Sequence, residues 1–412
     1  MSFQRIVIGA DTYPPDVNGA ANFAHRLAAG LAARGHEVHV IRPAVRPGAP
    51  AQAMPDGLTV HDLASYPTPF HPTFRFCVPW RIRGEAARLL DRIAPDVIHV
   101  QSHFGVGRTL IRLAQRRGIP VLATNHFMPE NLLGYTPLRG RAAATVSRLA
   151  WRDCVRVLGR ARVVTAPTPR AVRLLREQGL GGTVLPVSCG LDLRHFGQPG
   201  THADGAGPRT VLFVGRLDAE KNVDVLLRAL PSVAARTPVR AEIVGDGSRR
   251  RELERLAAEL GVADRVVFRG FVSEAELLDA YARCDVFCMP SIAELQSLAT
   301  MEAMAAGKPV VAADAMALPH LVRPGHNGLL FPPGDVAALA DALALILGDP
   351  GPAERMGEAG REIIARHDIE ATLDAFEALY QGSTTIPAAE PAALLGAGYG
   401  GGEREQAAHS RR

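Results

Sequence analysis

The stretch RIVIGADTYPPDVNGAANFAHRLAAGLAARGHEVHVIRP, residues 5–43, sets the fold class. Its opening RIVIG is a β-branched run, and Pro14-Pro15 with Asn18-Gly19 breaks that run into a turn. Phe23, Leu27 and Leu31 then recur every four residues, the spacing of one helix face, before GHEVHVIRP returns to a strand pattern. A strand, a helix and a strand in that order predict a parallel pair with the helix laid over one face.

The same alternation runs outward. APDVIHVQSH, the helix around RTLIRLAQRRG and IPVLATNH continue the first series. A second begins at RTVLFVGR and passes through DVLLRALPSVAAR, AEIVGDG, RRRELERLAAELG, RVVFRGF, EAELLDAYARC, DVFCMP, SIAELQSLATMEAMAAGK and PVVAAD. Between the two lies QPGTHADGAGP, rich in glycine and proline and poor in apolar residues. A chain of 412 residues exceeds what one core commonly serves. The expectation is therefore α/β: two doubly wound parallel-sheet domains facing across a cleft, residues 1–195 and 209–365, joined by a linker at 196–208. A helix at 366–381 follows, and a Gly-, Ala- and Pro-rich segment at 382–412 reads as a disordered tail. No tandem repeat of solenoid period is present.

Composition narrows the function classes. The hydrophobic fraction of 47% is that of a globular protein. Cys77, Cys154, Cys189, Cys284 and Cys288 are odd in number and scattered without a Cys-x-x-Cys pair, so they read as reduced, buried thiols of a cytoplasmic protein. The N-terminus lacks the basic start and long apolar core of a secretory signal, and no apolar run approaches the ~18 residues that span a bilayer. The expected location is cytoplasmic, with peripheral attachment to the inner face of the cell membrane left open.

The net charge of +4 hides an asymmetry. Residues 1–190 carry 24 Arg against 11 acids, and the remainder carries 22 basic residues against 31 acids, so the halves are +13 and −9. Halves of opposite sign suggest separate binding tasks. No nucleic-acid motif accompanies the basic half, so nucleic acid is not an expected partner.

In open α/β sheets ligands bind beyond the carboxyl ends of the strands, so the loops there supply the candidate site. Gly19 stands at the start of the first helix, where bare N–H groups attract phosphate oxygens, although Asn18-Gly19 is equally a plain turn. Arg216 ends a strand and Lys221 follows five residues later, a fork and a point charge able to clamp one anion. Gly245 and Gly247 flank Asp246 ahead of a helix, which suits a phosphate or ribose turn or ordinary turn chemistry. His126 leaves a strand toward the cleft, where function and structure are balanced readings. Glu294 and Glu302 bracket the mouth and interior of an alanine-rich helix; helix-dipole punctuation is the plain alternative.

Taken in order, the VNG loop, GHEVHV, PDVIHVQSH, TNHFMPENL, VGRLDAEKN, VGDGS, GFVSEAEL and ELQSLATME resemble a retaining nucleotide-sugar glycosyltransferase of family 4 with the GT-B fold. The similarity covers about residues 3–380, and TNHFMPENL is similar to the diacylglycerol glucosyltransferase and phosphatidylinositol mannosyltransferase-like branch. The resemblance implies two Rossmann-like domains, the first for acceptor and the second for donor, with the 366–381 helix crossing back to the first. It implies catalytic roles for His126, Arg216, Lys221 and Glu294: Glu294 holds donor-sugar hydroxyls, Arg216 and Lys221 hold the diphosphate, and His126 lies near the anomeric centre. It implies donor contacts from Gly19, Gly245, Asp246, Val272 at the base, Ser297 and Leu298 at the diphosphate, and Glu302 at the ribose.

Two departures stand out. Many relatives have Glu-x-Phe-Gly-Leu where this chain has Glu294-Leu-Gln-Ser-Leu298, and the N-terminal loop has one glycine where some members have two. No Asp-x-Asp pair is present, so metal-independent chemistry is expected, with no cofactor beyond a UDP- or GDP-hexose donor. With no placed carboxylate nucleophile, front-face attack is the expected route to retention.

The expected acceptor is a lipid or glycan hydroxyl. Phe70, Phe74, Phe76 and Trp80 interleave with Arg75, Arg81 and Arg83, and LRGRAAATVSRLAWRDCVRVLGRAR carries seven arginines and one acid. Such segments suit an anionic membrane surface, although arginines snorkelling over a sheet explain them too. Three rivals differ in class. A dinucleotide oxidoreductase lacks its glycine triplet, a pyridoxal-dependent phosphorylase has only Lys308 for its Schiff base, and a nucleotide-sugar sensor would bind without turnover.

Overall fold

The computed structural model describes residues 3–16, 18–45, 52–53, 57–68, 74–129, 139–196 and 207–384. Most of the expected linker and tail, with Phe70 and Glu130 to Leu132, lie outside the described residues.

The first domain is built on an eight-stranded sheet. Its strands are β1 (Arg5–Gly9), β2 (Glu37–Pro43), β3 (Gln52–Ala53), β4 (Thr59–Leu63), β7 (Val97–Val100), β8 (Val121–Thr124), β9 (Val163–Ala166) and β10 (Val184–Pro186), and a separate hairpin pairs β5 (Tyr66–Pro67) with β6 (Arg75–Phe76). The order β10-β9-β8-β7-β1-β2-β4-β3 is parallel throughout except at edge strand β3. The period of two in β1 is visible in its packing. Val7 faces the layer of α2 (Pro79–Ile93), α3 (Gly105–Arg117), α4 (Gly140–Leu158) and α5 (Pro169–Glu177), while Ile6 and Ile8 face α1 (Gly19–Ala33) on the other side. Asp11, just past β1, anchors α3 by accepting from the Val106 and Gly107 amides at 2.9 and 3.2 Å and from the Ser102 hydroxyl.

The second domain carries six parallel strands: β11 (Arg209–Val214), β12 (Val239–Val244), β13 (Val266–Gly270), β14 (Val286–Met289), β15 (Val310–Ala313) and β16 (Gly328–Phe331), in the order β13-β12-β11-β14-β15-β16. Around them lie α6 (Val223–Ala234), α7 (Arg250–Glu259), α8 (Glu274–Arg283), α9 (Leu298–Ala305), α10 (Leu318–Leu321), α11 (Val336–Gly348) and α12 (Pro350–Ile364). The order reverses at β1/β7 in one sheet and at β11/β14 in the other. Connections leave such a reversal in opposite directions and open a crevice between them. The loops after β11 and β14 carry Arg216, Lys221 and Glu294.

The last helix, α13 (Ile369–Tyr380), lies on the first domain beside α1. Phe376 is fully buried against Phe23 and His99, with ring centroids 6.1 and 4.8 Å away, and the Tyr380 hydroxyl bonds His99 Nδ1 at 2.8 Å. Polar ties reinforce this packing: Glu377 to His36 at 2.8 Å, and Arg34 to Asp374 at 2.7 Å and to Glu377 at 2.6 Å. The chain thus passes between domains twice, and the crossings bond each other through Leu191 N to the His367 carbonyl at 2.9 Å and Ile369 N to the Leu191 carbonyl at 3.0 Å.

All five cysteines are free and buried. No single helix among the described residues is long and apolar enough to cross a membrane.

Burial also sets an acid response. It lowers His99 to about 3 and His61, His103 and His126 to about 4, from an ordinary value of 6.5. The unfolded chain therefore binds more protons below pH 6.5, and stability that is complete above that value is lost on acidification toward pH 4. The melting temperature should fall by on the order of 10 °C between pH 7 and pH 5 in a pH series of thermal unfolding; a flat profile would contradict the buried neutral histidines.

Candidate active site

The loops after β11 and β14 are stitched together: Ile292 N donates to the Glu220 carbonyl at 3.0 Å, and the Ser291 hydroxyl to the same oxygen at 3.3 Å. This registration places the Lys221 ammonium on the Glu294 carboxylate, and both side chains are largely buried. Burial by itself would raise the Glu294 carboxyl, but the charge and hydrogen bond of Lys221, with smaller help from Ser291 and Arg216, hold it below the usual carboxylate range. Arg216 stands at the same strand end, with its guanidinium bonded to Asp218 at 2.7 Å and Glu220 at 2.8 Å.

Ser297 caps α9 in the left-handed region, at φ 68°, with its hydroxyl bonded to Thr300 Oγ1 at 2.8 Å. A serine there carries the steric strain that a glycine avoids. The turn aims the first amides of α9 outward from the helix, the arrangement that binds anions. From the first domain Gly19 approaches the Leu298 side chain at the start of α9, since a Cβ added to it would lie 3.5 Å from Leu298 Cδ1. Two helix N-termini thus meet across the interdomain boundary, each contributing positive potential. Farther into α9, Glu302 accepts from the Tyr281 hydroxyl at 2.8 Å; burial raises its carboxyl, against the opposing effects of that bond and the charge of Arg26.

His126 follows β8, largely buried, with its ring 4.9 Å from Phe23 and its Nε2 2.9 Å from Gln101 Oε1. Burial lowers it to about 4, so the imidazole is neutral at physiological pH. It can accept or relay a proton but carries no charge for anion binding.

The glycine-flanked turn has a packing cause. A Cβ on Gly245 would sit 2.0 Å from the Gly215 carbonyl oxygen and one on Gly247 2.5 Å from Leu217 N, so the turn lies directly on the loop that bears Arg216. Gly245 N donates to the Gly270 carbonyl at 2.8 Å, which draws in the segment containing Val272. Asp246 pairs with Arg250 at 3.3 Å, and its main-chain oxygen accepts from Leu217 N at 3.0 Å. Arg216, Lys221, Glu294, Gly245 and the Val272 segment therefore cluster about one strand end, Ser297, Leu298 and Gly19 adjoin it, and His126 is linked to the same loop through Cys189, whose Sγ is 3.9 Å from its Nδ1 and whose amide bonds Gln296. Lys308 does not join them: it is buried and donates to the Ala282 carbonyl at 2.6 Å, which leaves the pyridoxal rival without a lysine.

Arg26 escapes notice in the sequence. Its Nε and Nη2 are buried without a hydrogen-bond partner, and its charge acts on Glu302. The available signal is its position three residues after Phe23, on the apolar stripe of α1, where an arginine is out of pattern.

Two family models match the chain: "Glycosyltransferase Family 4" over residues 17–195 and "Glycosyl transferases group 1" over residues 200–363. A GDP-mannose-dependent alpha-mannosyltransferase of Mycobacterium tuberculosis is 33% identical over 350 residues, covering 82% of this chain and 87% of that protein. A phosphatidyl-myo-inositol mannosyltransferase of Mycobacterium leprae is 30% identical over 368 residues, covering 88% and 92%. Among solved structures, a sucrose-phosphate synthase from Thermosynechococcus elongatus superposes with a TM-score of 0.77 at 24% identity, covering 91% of this chain and 98% of that one. HepE of Anabaena, solved with UDP and glucose, gives 0.74 at 19% identity, covering 92% and 100%. These similarities establish the two-domain GT-B architecture.

Proposed function

This chain belongs to glycosyltransferase family 4, and on that premise we propose that it moves a hexose, with retention, from a nucleotide diphosphate sugar to an acceptor hydroxyl. The observation that carries the reading is the Lys221–Glu294 contact at the mouth of α9, with Arg216 at the same strand end and Gly19 facing from the other domain. A donor places its diphosphate over the α9 amides, where Arg216 and Lys221 offset the charge that grows as the glycosidic bond breaks. Glu294 then exchanges its lysine contact for the sugar hydroxyls, and Glu302 takes the ribose.

Among the described residues no second carboxylate is placed as a nucleophile, and the proposed route is attack by the acceptor oxygen from the face the diphosphate leaves. The acceptor oxygen bonds the anomeric carbon, the carbon–phosphate-oxygen bond breaks, and the departing oxygen takes the acceptor's proton. The two cations and the helix dipole supply the positive charge for this step, which makes it metal-independent. GDP-mannose is the donor of choice, because relatives at 33% identity carry that donor in their names. A lipid of the inositol type is the acceptor of choice on the same ground.

Thermal shift tests the donor: GDP-mannose should raise the melting temperature by several degrees at 100-fold its dissociation constant, and UDP-hexoses by less. Equal, null shifts for all nucleotide sugars would sink the donor site. Turnover is then read with inositol lipids, and binding without transfer to any acceptor would favour a sensor.

The membrane face of the proposal rests on α2 and α4, which lie on the same side of the sheet. Trp80 is 78% exposed at the head of α2, and Leu149 is 55% exposed on α4 among exposed Arg141, Arg148 and Arg152. Aromatic and basic side chains in that mixture bind anionic lipid at about 1 kcal/mol per cation. The full chain should co-sediment with phosphatidylglycerol vesicles and be released by salt, while phosphatidylcholine vesicles leave it in solution; equal binding to both would remove the electrostatic contribution.

A further inference from the structure

We infer that Gln296 couples occupancy of the donor seat to the double crossing between the domains, acting as a positioning residue for transfer; the inference rests on the donor reading above. Gln296 lies in the loop between Glu294 and the cap of α9, and it is only 4% exposed. Its Oε1 accepts from Cys189 N at 2.9 Å, and its Nε2 donates to Ser188 Oγ at 2.7 Å. Both partners belong to the first crossing.

Ser188 carries the contact to the second. Its hydroxyl oxygen receives Gln296 and the Gly190 amide, the latter at 3.2 Å, which leaves its own proton for His367 Nδ1 at 2.9 Å. Its carbonyl accepts from the Thr372 hydroxyl at 3.1 Å, at the start of α13. One buried amide in the donor loop is thus bonded to a serine on which both crossings converge. A second bond from the first domain, Thr168 Oγ1 to the Leu295 carbonyl at 2.9 Å, fixes the neighbouring residue of the same loop.

The loop also has a reason to move. Glu294 is held by Lys221, and a donor that engages Glu294 and the α9 amides must change that contact. Gln296 is two residues away and is bonded at both ends of its amide, so a shift of the loop either carries the crossing with it or breaks buried hydrogen bonds. The bonds favour the first outcome. An apolar side chain of similar size at 296 fills the same space but transmits nothing, because coupling needs a contact that differs in energy between the two states.

The test is amide hydrogen exchange on the full chain, with and without saturating GDP or UDP, in wild type, Gln296→Leu and Ser188→Ala. In wild type the nucleotide should slow exchange about tenfold or more in two segments, 297–303 and 187–191. Gln296→Leu should keep the first effect and lose the second, and Ser188→Ala should behave likewise. A purely structural role would speed exchange at 187–191 equally with and without nucleotide, leaving the ligand-dependent difference intact; that result overturns the coupling. So does full hinge protection in Gln296→Leu. A wild-type chain that binds neither nucleotide overturns the donor reading and the coupling together, whereas normal protection at 297–303 beside unchanged protection at 187–191 in both variants overturns the coupling alone.

Discussion

Replacing Lys221 with alanine should lower kcat by on the order of 10²- to 10³-fold, the loss associated with removing one preorganised charge from a transition state. In the resting protein Lys221 neutralises Glu294 at the crevice between β11 and β14, where Arg216 is paired with Asp218 and Glu220. The substitution therefore removes two things, the charge on the leaving group and the partner of a buried carboxylate. Glu294→Gln separates them, since it abolishes the stranded charge while retaining the shape. If the two residues work as one unit, Lys221→Ala with Glu294→Gln should lose little more than the worse single variant. Purely additive losses in kcat/KM would show that they act at different points of the reaction. The stability arm has a defined sign: Glu294 is held below the ordinary carboxylate range, so its contribution is present at neutral pH and lost on acidification. Lys221→Ala should flatten that part of the acid profile.

Phe376→Ala should destabilise the first domain by about 3–5 kcal/mol, the range for deleting a large aromatic side chain from a closed core. Phe376 is fully buried and meets Phe23, His99 and Tyr380. Its helix belongs to the far end of the chain, so the substitution also loosens the lid over α1. Denaturant unfolding, followed separately for the two domains, should show an early transition in the first and a nearly unchanged second. Equal shifts in both would place α13 in the core of the second domain instead. The polar ties of Arg34 and Glu377 remain in the variant, and their partly exposed members contribute little alone.

The strands were legible because a sheet covered on both faces needs side chains that are apolar on both faces, as in VFCM of β14 and VVAA of β15. Strand β4 was less so: TVHDL places His61 and Asp62 in its middle, and these are accommodated by a His39 contact at 3.0 Å and an Arg42 ion pair at 2.8 Å that no local pattern announces. In the site, Arg216, Lys221 and His126 could be selected because each follows a strand, beyond whose end ligands bind in such sheets, and Glu294 because it stands at the mouth of a helix, while the roles of all four rest on the family resemblance. Local pattern says nothing of the destination of α13, because Phe23 and Phe376 are neighbours only in the folded chain. The same limit hides the Gln296 to Ser188 contact, which looks in sequence like a polar substitution in an apolar motif. Gly245 answers to packing as well as to any ligand: a Cβ there would meet the Gly215 carbonyl, a demand that no local pattern announces.

The paired crossings at Leu191 and Ile369 fix the kind of movement these domains can make. A lone connector would let one half swivel, tilt and slide against the other. Two connectors laid side by side and bonded as a short parallel bridge resist sliding and torsion. Bending about one line through the bridge is what remains, so the two lips of the cleft should approach and part along a single arc, with Gly19 and Leu298 meeting at the same point on each swing.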